Sequence, residues 1–354
     1  MKIDITSFGE ISEGKHASLI TLRNKNGMSI GVSDLGATLV SVVVPDKDGH
    51  FSDVVLGYNN AGEYRAGEYF FGATVGRNAN RISGAKFELN GTVYTLYAND
   101  GENNLHSMPD GYHMRIWDFL IDEAAQSVKF SILSPHMDQG FPGEFAVSVT
   151  YALSDKNELI IKYHGVCDRD TVINMTNHSY FNLAGHGAGD ILAHNFEINA
   201  NAYTPIDGGC IPTGEIRPVA DSPFDFRISK PIGKDICSPD EQLDFGRGYD
   251  HNFVLNCDVN RHSALHMCAT VLESLSGRMM EVFSDLPGIQ LYSGNFLPDG
   301  VGGKDGAVYN NRSGFCLETQ YFPDAVNKPG FPSPILYAGK DYHSTTVYQF
   351  SVTQ

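Results

Sequence analysis

The sequence predicts an all-β protein, a large antiparallel β-sandwich, and three observations carry that prediction. Short β-branched and aromatic runs recur from end to end, tight-turn pairs separate them, and helical periodicity is nearly absent. Runs at 28–34 and 38–44 are broken by Gly36. Residues 87–89 and 92–96 flank Asn90-Gly91, a pair that supplies the positive φ angles of a two-residue hairpin turn. Runs 144–153 and 158–166 flank Ser-Asp-Lys-Asn, and runs 264–275 and 278–283 flank Ser276-Gly277, giving two more hairpins. Further strand-like runs lie at 70–75, 195–198, 251–255, 289–292, 315–319 and 345–352. One short helix is expected after Ser238, with Pro239 at its first position and Glu241 three residues past the cap, ending by Gly246. No Pro-, Ser- or charge-rich linker divides the chain and no repeat is visible, so residues 1–354 read as one domain.

Charge narrows the partners. With 25 Lys and Arg against 42 Asp and Glu, the formal net charge of −17 repels phosphate backbones and anionic membranes. Nucleic acid and membrane are therefore not expected partners, and an uncharged small molecule is left open. The first residues, MKIDITSFGEISEGK, lack the apolar core of a signal peptide, and no run approaches the ~20 apolar residues of a membrane span. Cys167, Cys210, Cys237, Cys257, Cys268 and Cys316 are scattered without a C-x-x-C pair, which reads as buried thiols in a reducing, cytoplasmic setting.

Two residues stand out for chemistry. Glu318 interrupts an apolar, β-prone run, where burying a carboxylate is costly unless it is compensated or used. His178 lies within Asn-Met-Thr-Asn-His-Ser-Tyr-Phe-Asn, among hydrogen-bonding side chains that can fix its tautomer, with Tyr180 and Phe181 able to form an aromatic wall. A carboxylate and an imidazole together suit acid-base work on a hydroxyl compound. The segment Gly76-Arg-Asn-Ala-Asn-Arg81 offers donor forks and amides matched to sugar hydroxyls, but spacing alone equally allows a surface turn. His106, Asp250 and Gln290 each have an equally plain structural reading. His178, His186 and His194 lie eight apart, no H-E-x-x-H occurs, and neither phosphate-binding glycine loops nor G-x-S-x-G is present. No metal site and no nucleotide or organic cofactor is expected.

Seven segments, in order, resemble the aldose 1-epimerase (galactose mutarotase) family. They are Gly-Arg-Asn-Ala-Asn-Arg-Ile (76–82), Asn-Asn-Leu-His (103–106), Asn-His-Ser-Tyr-Phe-Asn-Leu (177–183), Ser-Pro-Phe-Asp-Phe-Arg (222–227), Tyr-Asp-His-Asn-Phe (249–253), Gly-Ile-Gln-Leu-Tyr-Ser-Gly-Asn-Phe-Leu (288–297) and Leu-Glu-Thr-Gln-Tyr-Phe-Pro-Asp-Ala (317–325). The resemblance implies a β-sandwich of the galactose mutarotase type and an isomerase that interconverts the α and β anomers of free aldoses such as glucose and galactose. It also implies a monomer or homodimer without cofactor. Glu318 would be the base and His178 the acid. Asn80, Arg81, His106, Asp250 and Gln290 would bind the sugar, with Tyr180 beside it. One departure is local: the family has Gly-Gly after the sugar-binding histidine, where this chain has Ser107-Met108.

In that scheme an imidazole of ordinary pKa, about 6.5, is mostly neutral at pH 7. A nearby Asp250 or Glu318 is therefore expected to raise His178 above its free value. Two alternatives remain. A hexose 6-phosphate epimerase would need an extra basic clamp, which the sequence does not reveal. A non-catalytic sugar-binding protein would be expected to lack the acid or the base, and both are present.

Overall fold

The computed structural model describes residues 2–257 and 264–353. Its framework is a nine-stranded antiparallel sheet. In spatial order the strands are Asp118–Asp122, Ser127–Ser134, Phe145–Leu153, Glu158–Cys167, Asp341–Val352, Arg278–Ser284, His266–Leu272, Asn195–Ile198 and Lys230–Pro231. Period-2 alternation drives one face inward: Val147, Val149 and Tyr151 are buried, as are Ile161, Tyr163, Tyr348 and Phe350. Against that face lies a five-stranded sheet, ordered Arg217–Pro218, Ala200–Thr204, Asp250–Leu255, Gly288–Tyr292 and Cys316–Gln320. Ile289, Leu291 and Leu317 on its back share one apolar core with Tyr348 and Phe350, and Tyr348 OH donates to the Leu317 carbonyl at 2.9 Å. A third sheet, a meander over Lys2–Ser12, Lys15–Arg23, Ser29–Ser33, Thr38–Pro45 and Phe51–Asp53, is fastened to a remote loop by the buried Lys304, whose Nζ meets Asp53 at 2.5 Å and the Val40 carbonyl at 2.7 Å. No helix among the described residues is long and apolar enough to cross a membrane.

The hairpins form where turn chemistry indicated. Lys86–Leu89 pairs with Thr92–Thr95 around Asn90 (φ 52°) and Gly91 (φ 75°), and Phe145–Leu153 pairs with Glu158–Cys167. His266–Leu272 pairs with Arg278–Ser284 as well, although this strand stops at Leu272 because Glu273 accepts the Leu275 and Ser276 amides and starts the turn early. Three expectations are corrected. The helix Glu241–Gly246 is capped by Asp240 rather than Ser238, since the Asp240 carboxylate reaches the Gln242 amide at 2.9 Å. A second helix, Ala61–Ala66, starts at Asn60, whose side chain accepts from Glu63 N while Glu63 returns to Asn60 and Asn59. The strand near 70–75 begins only at Ala73, because Phe70 (φ 58°) and Gly72 (φ 65°) are left-handed. Among the cysteines, Cys167, Cys268 and Cys316 are buried as expected, whereas Cys237 is exposed and Cys210 and Cys257 are partly exposed.

Arg77 belongs to this framework. Its guanidinium is wholly buried, donating to the carbonyls of Ser134, Pro135, Pro142 and Gly143 and to Ser134 Oγ. It thus lies neither at a surface turn nor among sugar-facing groups, but gathers four carbonyls of one loop that would otherwise be buried without donors. Arg77→Met should lower the unfolding free energy by about 3 kcal/mol or more, since several buried acceptors lose their partner at ~1–3 kcal/mol each; urea denaturation of the variant against the parent measures this.

Candidate active site

Register places the functional side chains. In the five-stranded sheet Asn252 faces Gln290 and Gln290 faces Glu318, so the three form one transverse row. Asp250, Tyr292 and Cys316 form the adjacent row two residues away, on the same face. Residues of opposite parity, Leu291 and Leu317 among them, point into the core. Glu318 is thereby fixed on a strand but aimed away from the sandwich interior, and it is only 2% exposed.

Beside the edge strand Cys316–Gln320, to which Phe181 is bridged antiparallel at Phe315, His178 ends the short strand Thr176–His178, which pairs on its other side with Ala73–Val75. His178 Nε2 lies 3.8 Å from Glu318 Oε1, too far for a hydrogen bond but close enough for both to touch one small molecule. Glu318 Oε2 is buried with no hydrogen-bond partner among the described residues. His178 Nδ1 contacts Cys316 Sγ at 3.5 Å. Its ring stacks on Tyr180 (5.1 Å, 30°) and on Phe70 (5.8 Å, 26°). The two residues line a cavity of about 260 Å³, the small end of the size range of ligand sites (~300–1,000 Å³).

Of the other residues singled out in the sequence, Asn80, Arg81, His106, Tyr180 and Asp250 all line the same cavity. Arg81 is held between two carboxylates, with Nε on Asp100 Oδ2 at 2.7 Å and Nη1 3.8 Å from Asp250 Oδ2. His106 Nδ1 accepts the Asn80 amide at 3.2 Å, so the neutral ring carries its proton on Nε2. Gln290 stands behind them: its Nε2 donates to Asp250 Oδ1 at 2.7 Å and its Oε1 accepts from Gln320 Nε2 at 3.1 Å. Ser107 does not line the cavity either. Its Oγ donates to Asn78 O and accepts from Asn78 N, so the departure at Ser107-Met108 braces the 78–80 turn from outside.

Sequence reasoning missed Phe70, Tyr292, Phe296 and the carboxylates of Glu68 and Asp100, all of which line the cavity. Tyr292 was within reach, because alternation puts it on the face of Gln290. Phe70 and Glu68 were not, because their placement depends on the left-handed turn before Ala73.

Burial controls the protonation of the pair. Glu318 is held well above the usual carboxylate range, by burial first and then by Asp250, with Arg81 opposing. Burial pushes His178 down to about 4, against the contact with its own carbonyl and with help from His113. The expectation that His178 titrates above its free value is therefore overturned, because burial of the ring dominates its shift. Burial thus favours the neutral form of both members of the pair. Asp250 is also raised, by burial that exceeds the lowering by Arg81 and Gln290.

Comparisons with known proteins identify the family and the fold. The family model described as aldose 1-epimerase matches residues 18–349. The chain belongs to the aldose 1-epimerase family. Galactose mutarotase of Sus scrofa is 41% identical over 345 residues, which cover 98% of this chain and 97% of that protein. Aldose 1-epimerase of Escherichia coli K12 is 36% identical over 340 residues, 96% of each. Among solved structures, an aldose epimerase homologue from C. elegans superposes with a TM-score of 0.87 at 32% identity, covering 96% of this chain and 100% of that one. Galactose 1-epimerase from Lactobacillus acidophilus gives 0.86 at 27% identity, covering 100% and 99%. Like other aldose 1-epimerases the protein is an isomerase of the all-β mutarotase fold.

Seven histidines among the described residues of this epimerase are held below their ordinary pKa by burial: His178, His113 and His194 at about 4, His251 at about 3, His106 well below 6.5, and His186 and His266 below it. Between about pH 6.5 and 4 the unfolded chain binds more protons than the native one at these sites. Their contribution to stability is therefore full above the unfolded value and is lost as pH falls, by up to ~1.4 kcal/mol per pH unit per histidine. Raised carboxylates such as Glu318 and Asp250 act in the opposite sense and reduce the slope. Urea midpoints should thus fall clearly from pH 7 to pH 5; equal midpoints would contradict the neutral state of these rings.

Proposed function

We propose that the protein interconverts the anomers of neutral free aldoses, glucose and galactose among them, with Glu318 and His178 exchanging protons with the sugar. The observation that carries this reading is that Glu318 and His178 line one cavity together, with Glu318 Oε1 facing His178 Nε2 across 3.8 Å. A sugar hydroxyl is the complementary donor for that carboxylate. The high similarity to galactose mutarotase and aldose 1-epimerase supports the same reaction.

In ring opening the Glu318 carboxylate takes the proton of the C1 hydroxyl, the C1–O5 bond breaks as C1=O forms, and the His178 imidazolium protonates O5. Rotation about C1–C2 exposes the other face of the aldehyde. On closure O5 attacks C1, His178 takes back the O5 proton and Glu318 returns one to O1. After opening, the pair is a carboxylic acid and a neutral imidazole, the state that burial favours. A C1 hydroxyl donating to the Glu318 carboxylate stabilises its charged form and so favours the proton on His178 at the start of the cycle. Arg81, Asn80, Asp250 and the Nε2–H of His106 hold the remaining hydroxyls, so that only the anomeric end moves. Gln290 acts through Asp250 by fixing its carboxylate.

Neutral sugars are favoured over sugar phosphates by charge. Arg81 is the cationic lining residue, and it is flanked by Asp100 and Asp250, with Glu68 and Glu318 on the same cavity. A phosphate dianion would meet carboxylates in this lining, with Arg81 already paired to Asp100 and Asp250, which weighs against the hexose 6-phosphate alternative.

Polarimetry of freshly dissolved α-D-glucose and α-D-galactose tests the reading: the protein should speed relaxation to an unchanged final rotation. Glu318→Gln should lower kcat by about 10²-fold or more while sugar binding persists, as loss of a general base requires. A near-normal rate in that variant would remove Glu318 from the mechanism. With glucose 6-phosphate, kcat/KM should fall by at least about tenfold relative to glucose, and comparable values would restore the phosphate alternative.

A further inference from the structure

On the outer face of the nine-stranded sheet, remote from the sugar cavity in register and orientation, three potential metal ligands converge. His164 on strand Glu158–Cys167 is the direct cross-strand partner of His343 on strand Asp341–Val352. Asp341 precedes His343 by two residues, so strand alternation puts its side chain on the same face. All three are exposed. The imidazole rings are 4.7 Å apart at 44°, and His164 Nε2 is 3.2 Å from Asp341 Oδ1. One ligand atom from each of the three lies within 4.8 Å of the others.

We propose that His164, Asp341 and His343 form a surface site for a borderline divalent transition ion, with Zn²⁺ the best match. Two imidazole nitrogens and one carboxylate are a zinc donor set, and three protein ligands leave a fourth tetrahedral position for water. Bond lengths of ~2.0–2.2 Å place tetrahedral ligand atoms roughly 3.3–3.6 Å apart. His164 and Asp341, at 3.2 Å, are already close to that separation, and the remaining adjustment needs only side-chain rotation of exposed residues. The part that cannot adjust, the backbone register, is already correct.

Nothing else claims these side chains: among the described residues the trio makes one hydrogen bond, His164 to Asp341. That sets it apart from Asp46, Asp48 and His50, where Asp46 Oδ1 is occupied by the amides of Asp48 and His50 in a turn. It is also distinct from His178, Cys316 and Glu318, which belong to the sugar site. Asp285 adds negative charge nearby, its Oδ1 accepting the amide of Thr345, two residues beyond His343. A bound ion joins two central strands side chain to side chain and stabilises the native state by mass action.

Calorimetric titration of the metal-stripped full chain with ZnCl₂ at pH 7.5 tests the site. One ion per chain is expected, with a rise in Tm and an unchanged rate of sugar mutarotation. His343→Ala and His164→Ala, both at exposed positions, should bind zinc at least about 10–100-fold more weakly and lose the Tm shift, since losing even an outer-shell partner costs that much. Unaltered affinity in both variants, or no binding in the parent, would overturn the assignment. So would zinc inhibition of mutarotation that persists in the variants, which would locate the ion at His178, Cys316 and Glu318.

Discussion

The whole site depends on the register of three strands. Asp250–Leu255, Gly288–Tyr292 and Cys316–Gln320 align so that Asn252, Gln290 and Glu318 fall in one row and Asp250, Tyr292 and Cys316 in the next. A slip of one residue on any of them would send its polar groups into the apolar core and its core residues into the cavity. The register is held from behind, by Leu291 and Leu317 against Tyr348 and Phe350. Packing on one face thus specifies chemistry on the other, and the catalytic geometry inherits the rigidity of the sandwich.

Polar satisfaction completes what register begins. Gln320 donates to Gln290, Gln290 to Asp250, and Asp250 faces an arginine that Asp100 holds from the other side. Each link orients the next, so the amide of Gln290 has one arrangement in which both its ends are matched. Glu318 Oε2 lies outside this chain without a partner. Gln320 Oε1 and Asn252 Nδ2, beside it in the same sheet, are likewise without partners, so satisfaction is complete along the Gln290–Asp250 link and not throughout the face.

Much of this was legible in the sequence. The Asn90-Gly91 hairpin, the two long hairpins and the shortage of helix follow from local turn chemistry and period-2 patterning, which act over a few residues. Glu318 was visible as a charge misplaced in an apolar strand, and His178 by its polar neighbours. What could not be read depends on distant pairings. Arg77 and Arg81 look alike in one short segment, yet one serves loop carbonyls from residues 134–143 and the other the cavity. The sign of the shift at His178 was misjudged for the same reason. Counting neighbouring carboxylates overlooks the burial of the ring between Tyr180, its near neighbour in sequence, and Phe70, which a distant part of the chain brings in.

The proton exchange proposed for Glu318 and His178 has a further consequence. It would convert an ion pair into a neutral pair and back, so the total charge enclosed by the cavity would be the same at every step. A protein with a formal charge of −17 surrounds its reaction with a strong external field, yet that field has no net charge to act on as the reaction proceeds. What the surface field can still act on is the change in dipole between two groups 3.8 Å apart, a coupling that falls off faster with distance than one to a net charge, so the groups that touch the pair weigh most on the proposed exchange.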